Sequence, residues 1–110
     1  MLTKSLLTVA FLHLAITASA SAQPTTLSCD GSLIESAGST HSSISATLTL
    51  GSSPSINIGN APIRTSPISN NKIQLKFATK DFSGEYFHYT HDLFLIYKSG
   101  HLARLTCSPR

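Results

Sequence analysis

The sequence predicts an all-β fold, a small antiparallel β-sandwich or barrel of about seven to eight short strands. Three observations predict it. Residues 42–50 and 72–79 alternate apolar and polar side chains with period two. Clusters of Gly, Pro, Asn and Ser punctuate the chain at nearly regular spacing. Beyond residue 22 no stretch carries the apolar stripe of an amphipathic helix.

The first 22 residues read as an export signal. Lys4 supplies a basic start, residues 6–16 are apolar apart from Thr8 and His13, and Ala18-Ser19-Ala20-Ser21-Ala22 is a run of small side chains. Signal peptidase needs small residues at −1 and −3, so Ala20 and Ala22 predict cleavage before Gln23, with Ala18 and Ala20 as the competing pair. The apolar run is too short for a spanning helix, which needs roughly 20 residues. The expected product is residues 23–110, a single small domain that is secreted or periplasmic and has no membrane span.

Within that domain, residues 26–31 begin a strand with Leu27 and Cys29 on one face, and Asp30-Gly31 signals a turn. Leu33-Ile34 opens a second short strand or continues the first past a bulge. Residues 36–43 read as a polar loop. In residues 42–50, Ile44, Ala46, Leu48 and Leu50 alternate with Ser43, Ser45, Thr47 and Thr49, giving one buried and one wet face. Gly51-Ser52-Ser53-Pro54 turns the chain into a hairpin partner, residues 55–58, with Ile56 and Ile58 inward. Gly59-Asn60-Ala61-Pro62 is a break, and residues 63–71, with Pro67 and two Asn, form an extended loop. Residues 72–79 place Ile73, Leu75 and Phe77 in the core and Lys72, Gln74 and Lys76 in water. Lys80-Asp81-Phe82-Ser83-Gly84 is a turn, and residues 85–90 are aromatic and extended. Residues 93–98 and 101–106 flank Ser99-Gly100, a two-residue hairpin signal. That register puts Phe94, Ile96, Ala103, Leu105 and Cys107 on one face.

Charge and size exclude several functions. Eight Lys and Arg against five Asp and Glu give a net charge of +3 over 110 residues, too little for a nucleic-acid binder that relies on a basic stripe. The chain is too short for a doubly wound nucleotide-binding enzyme or a (β/α)₈ barrel. Lys72, Lys76 and Lys80 recur every four residues and read as a solvated, edge-protecting face.

Cys29 and Cys107 are the only thiols. In an oxidising compartment an even count predicts pairing, here between the first and last strands. Such a bond closes nearly the whole domain and stabilises it by about 4–5 kcal/mol on the chain-entropy model.

The densest polar cluster is His88-Tyr89-Thr90-His91-Asp92. In a strand, side chains three apart point to opposite faces, so His88 and His91 can share a metal only if a turn folds His91 back. No G-x-S-x-G is present, no carboxylate pair stands out, and pairing the cysteines leaves no thiol nucleophile. The sequence therefore predicts no catalytic residue, no metal and no cofactor. It reads as a non-catalytic binding module for a protein or envelope partner. The alternative is a small His-dependent hydrolase or metal-binding protein built on residues 88–92.

The predicted partner surface is Tyr86, His88, Tyr89, His91, Tyr97 and His101, which combine aromatic area with hydrogen-bonding tips. Binding through these histidines should change between about pH 5 and 7.

Cys29-Asp30-Gly31, Leu105-Thr106-Cys107 and the strand rhythm between them resemble a broad class of small exported bacterial β proteins. They also resemble the envelope-associated inhibitors of c-type lysozyme, small β-barrels with a Cys in the first strand and another near the end. That likeness implies lysozyme inhibition as one form of binding. It covers the ends of the domain and the strand rhythm only. The family's Ser-Gly-x-x-Tyr-type loop is replaced before Lys72 by Ile68-Ser69-Asn70-Asn71, so it implies no inhibitory residue.

Overall fold

A computed structural model describes residues 25–35 and 40–110. The expected signal segment and the residues that join it to the domain lie outside the described residues. The chain forms one antiparallel sheet of nine strands that curls on itself as a half-barrel. In chain order these are β1 (Thr25–Ile34), β2 (His41–Leu50), β3 (Ser55–Ile58), β4 (Ala61–Ile63), β5 (Ser66–Asn70), β6 (Gln74–Ala78), β7 (Phe82–Phe87), β8 (Asp92–Tyr97) and β9 (Leu102–Pro109). Across the sheet the order is β4-β3-β2-β1-β9-β8-β7-β6-β5, so every neighbour but one is also a neighbour in sequence. The exception joins the first strand to the last.

The all-β expectation holds, with more strands than the sequence predicted. The extra strands are β4 and β5, which contain Pro62 and Pro67. Proline lacks a donor and breaks a central strand, but an edge strand tolerates it. Both strands lie at the edges of the sheet, and β5 also shifts register between Pro67 and Ser69. These are the devices by which edges resist pairing with foreign chains. Ile63 and Ser66 are separated only by Arg64 and Thr65, three Cα steps that span at most about 11 Å. The two edges of the curled sheet are therefore drawn together at that point.

The inner face carries the core: Leu27, Cys29, Ala46, Leu48, Ile56, Leu75, Phe77, Phe82, Tyr86, Leu93, Leu95, Ala103, Leu105 and Cys107. Cys29 lies directly opposite Cys107 on neighbouring strands, and the two form a disulfide. No helix among the described residues is long and apolar enough to cross a membrane.

Four local readings are corrected. Asp30-Gly31 is not a turn, because β1 runs straight through it. A Cβ on Gly31 would sit 1.9 Å from the backbone oxygen of Arg104, so this glycine makes room for β9 instead of reversing the chain. Phe82-Ser83-Gly84 is likewise strand, and the Phe77 ring lies over Gly84, 2.2 Å from where a Cβ would be. The expected loop of residues 36–43 includes residues outside the description, and its last part is already β2 from His41. Ile73 leaves the core: Asn71 Oδ1 accepts hydrogen bonds from the backbone N–H of Ile73 (2.8 Å) and Gln74 (2.9 Å), an Asx turn, so that β6 starts at Gln74 and not at Lys72. Ile73 is 61% exposed.

The last hairpin also differs. Its loop has three residues, Lys98, Ser99 and Gly100: Gly100 N–H donates to Tyr97 O (3.0 Å), Tyr97 N–H donates to His101 O (2.9 Å), and Gly100 takes φ 96°. This is the turn-plus-bulge loop that a left-handed glycine favours. It pairs Leu93 with Leu105 and Leu95 with Ala103. A slip of one residue flips every side chain of a strand. Leu93 and Leu95 therefore fill the core, while Phe94 and Ile96 face out, the reverse of the expectation.

Candidate functional site

Two neighbouring turns build the candidate site. Residues 71–73 join β5 to β6, and residues 88–91 join β7 to β8. Gln74 pairs with Phe87, so the turns lie side by side, and His88 N–H donates to Ile73 O (3.0 Å). His91 adopts φ 64°, the left-handed conformation that returns the chain into β8. Its N–H donates to Phe87 O (2.9 Å) and its carbonyl accepts from Cys107 N–H (2.8 Å). The second turn is thereby fixed to β9 beside the disulfide.

The six residues of the expected partner surface do not form one patch. Tyr86, His88, Tyr89 and His91 gather at this end. Tyr97 ends β8 and His101 lies just past it, roughly 17 Å away along a six-residue strand. There Tyr97 packs on Phe82 with ring centroids 5.0 Å apart and meets His101 edge-on at 6.5 Å. His101 Nδ1 in turn shares a hydrogen bond with Ser99 Oγ (2.9 Å). These groups occupy one another.

At the first end the residues divide by burial. Tyr86 is in the core; its hydroxyl shares a hydrogen bond with His91 Nδ1 (3.0 Å), and burial pushes its ionisation above the usual tyrosine range. Burial, and next the charge of Asp81, pushes Tyr97 the same way. His88 stands edge-on to the Tyr86 ring at 5.4 Å and its Nε2 donates to Asn70 Oδ1 (3.2 Å). The two imidazoles thus flank one ring and bond to different partners. Among the described residues no group of three or more His, Cys, Asp or Glu is placed to hold a metal ion. Tyr89 is 75% exposed, the most open large apolar side chain described.

Asn70, Asn71, Lys72, His88 and Tyr89 surround an open depression of about 580 Å³. The sequence reading singled out His88 and Tyr89 but took residues 63–71 as loop and Ile73 as core. The available signal was Asn70-Asn71, a pair suited to an Asx turn that ends one strand and starts the next. On the outer face of β8 and β9, Ile96 and Leu102 are exposed, and the Arg104 guanidinium covers the Phe94 ring at 5.9 Å. Compared with known protein families, curated proteins and solved structures, the chain matches none.

Proposed function

We propose that this chain is an exported, non-catalytic binding module whose contact surface is the pair of turns at residues 71–73 and 88–91. One observation carries the reading. Tyr89 and Ile73, 75% and 61% exposed, stand on adjacent turns whose backbones are hydrogen-bonded to each other. Large apolar side chains held in water on pre-formed loops are what a partner can cover at little ordering cost. Around them the carboxamide oxygens of Asn70 and Asn71 are held by His88 and by the backbone of Ile73 and Gln74, so the surface is pre-formed. The signal-like first 22 residues and the disulfide support export to the secreted space or cell envelope.

The test is site-specific photocrosslinking in the producing cell, with the probe at position 89 and a control probe at position 98 on the opposite end. The reading expects a discrete adduct from position 89 alone. Equal labelling from both positions, or none from 89, overturns it. Bound stoichiometric zinc in the purified protein would favour the hydrolase or metal-binding alternative. Inhibition of a c-type lysozyme, lost in Tyr89→Ala, would identify one specific partner for the same surface.

A further inference from the structure

The depression between the two turns has an unusual balance of hydrogen-bonding groups. Asn71 Oδ1 is consumed by the backbone N–H groups of Ile73 and Gln74. Asn70 Oδ1 is consumed by His88 Nε2. Both amides are thereby oriented, with their oxygens turned to the protein. Their Nδ2 groups make no hydrogen bond among the described residues, and neither does Lys72 Nζ. No Asp or Glu lines the depression. What it offers a ligand is therefore mostly donors, two amides and one ammonium, beside the Tyr89 ring. Such a rim suits an acceptor-rich anion.

Size narrows the class. The depression, about 580 Å³, is wide open, so a ligand would lie across it with one face still in water. A stable protein interface covers about 800 Å² per partner, so the five side chains of the depression could be only a part of one, whereas they suffice for a small ligand. No aliphatic side chain lines the depression, so an aliphatic peptide side chain finds little anchorage in it. A pyranose ring has an apolar face for Tyr89 and a rim of oxygens for the amides. The single cation, Lys72, matches a single negative charge better than the double charge of a phosphate.

We propose that this depression binds a carboxylate-bearing saccharide, its ring laid on Tyr89 and its carboxylate held by Lys72 and the Nδ2 groups of Asn70 and Asn71. The proposal rests on the binding-module reading and adds its ligand class. Lys72 supplies charge, the amides direction and Tyr89 area.

The experiment is a titration of the ¹⁵N-labelled, oxidised protein with short oligogalacturonates, followed by its backbone amide signals. A parallel titration uses the methyl esters, which keep the rings and lose the charge. The expected result is saturable shifts confined to residues 70–73 and 88–90 with the acid, and none with the ester at equal concentration. Lys72→Gln and Tyr89→Ala should each weaken binding roughly tenfold, the scale of one well-made contact. Both side chains are exposed, so each variant should keep the wild-type spectrum elsewhere. Equal binding of acid and ester, shifts centred on Lys76 and Lys80, or no saturable shifts would overturn the proposal. If crosslinks from position 89 persist while the acid fails to bind, only the ligand class is wrong. If both fail, the binding surface itself is wrong.

Discussion

Two junctions hold the sheet in its curl, and they work by opposite means. Between β1 and β9 the chain is not continuous, yet the strands pair from Leu27 opposite Pro109 to Ile34 opposite Leu102, and Cys29–Cys107 crosses the ladder. Between β4 and β5 the chain is continuous through Arg64 and Thr65, yet no ladder joins the strands. The difference teaches where stability and adaptability reside. The ends of the domain are fastened by hydrogen bonds and a covalent bond. The edges are joined by a short connection, which Thr65 Oγ1 ties to the β2–β3 turn by donating to Pro54 O. Perturbing the first junction should threaten the fold. Perturbing the second should loosen an edge.

The largest effect is expected at Gly31. In Gly31→Ala the new Cβ would meet Arg104 O at 1.9 Å and Leu105 Cα at 2.6 Å, both backbone atoms. Neither can yield without parting β1 from β9. We expect destabilisation of more than about 5 kcal/mol, or loss of cooperative unfolding, in urea titrations. Gly59→Ala is the control. It has φ 64° with nothing within 4 Å, so it should cost only about 1 kcal/mol. Equal effects at the two glycines would mean that β9 does not crowd β1.

Next is the disulfide. The bond links residues 78 apart in sequence. Replacing both cysteines, Cys29→Ser with Cys107→Ser, should lower stability by about 4–5 kcal/mol on the chain-entropy model. Fluorescence- or dichroism-monitored denaturation reads this directly. A loss below about 1 kcal/mol would show that the ladder alone fastens the junction.

How much of this was legible in the sequence depends on what each residue's environment decides. Strand β2 was legible because Ile44, Ala46, Leu48 and Leu50 face one side, and period two is a local property. The disulfide was legible from two cysteines near opposite ends of an exported domain. Gly31 and Gly84 were misread as turn residues because their role is set by Arg104 and Phe77, far away in sequence. Gly59 and Gly100, which do adopt positive φ, were read correctly as breaks. The last hairpin slipped by one residue because Leu93-Phe94-Leu95-Ile96 is apolar on both faces, so pattern gave no register and loop length decided it. For the candidate site, His88 and Tyr89 were visible as a polar aromatic cluster. Asn70 and Asn71 were not, because their placement needs β5 to be a strand despite Pro67.

A smaller effect is expected at the β4–β5 edge. Thr65→Val keeps shape and removes the hydroxyl that bonds Pro54 O. It should cost about 1 kcal/mol, the usual net worth of one such bond. Hydrogen exchange should quicken in β3 to β5 while β1 and β9 stay protected. Faster exchange in β1 would show that the two junctions open together.

The smallest effect at neutral pH, and the most pH-dependent, is expected for Tyr86→Phe. Tyr86 is buried one turn from the first junction, and its partner His91 holds the Cys107 N–H through its carbonyl. At pH 7 the lost hydroxyl should cost less than about 1 kcal/mol, because exposed His91 can bond water instead. At high pH the order reverses. Burial raises Tyr86 above its ordinary value of 10.0, so the folded state holds this proton more tightly than the unfolded chain. Its stabilisation is fully present below the unfolded value and is lost as pH rises through the folded one. Wild-type protein should therefore weaken above about pH 10, and Tyr86→Phe should weaken less. Tyr97 is raised in the same sense, so part of the slope survives in the single variant and should shrink further in Tyr86→Phe/Tyr97→Phe. Urea midpoints measured from neutral to strongly alkaline pH decide the matter. If Tyr86→Phe loses stability with pH as steeply as the wild type, ionisation of Tyr86 is not what loosens this end. The alkaline transition then belongs to some other group.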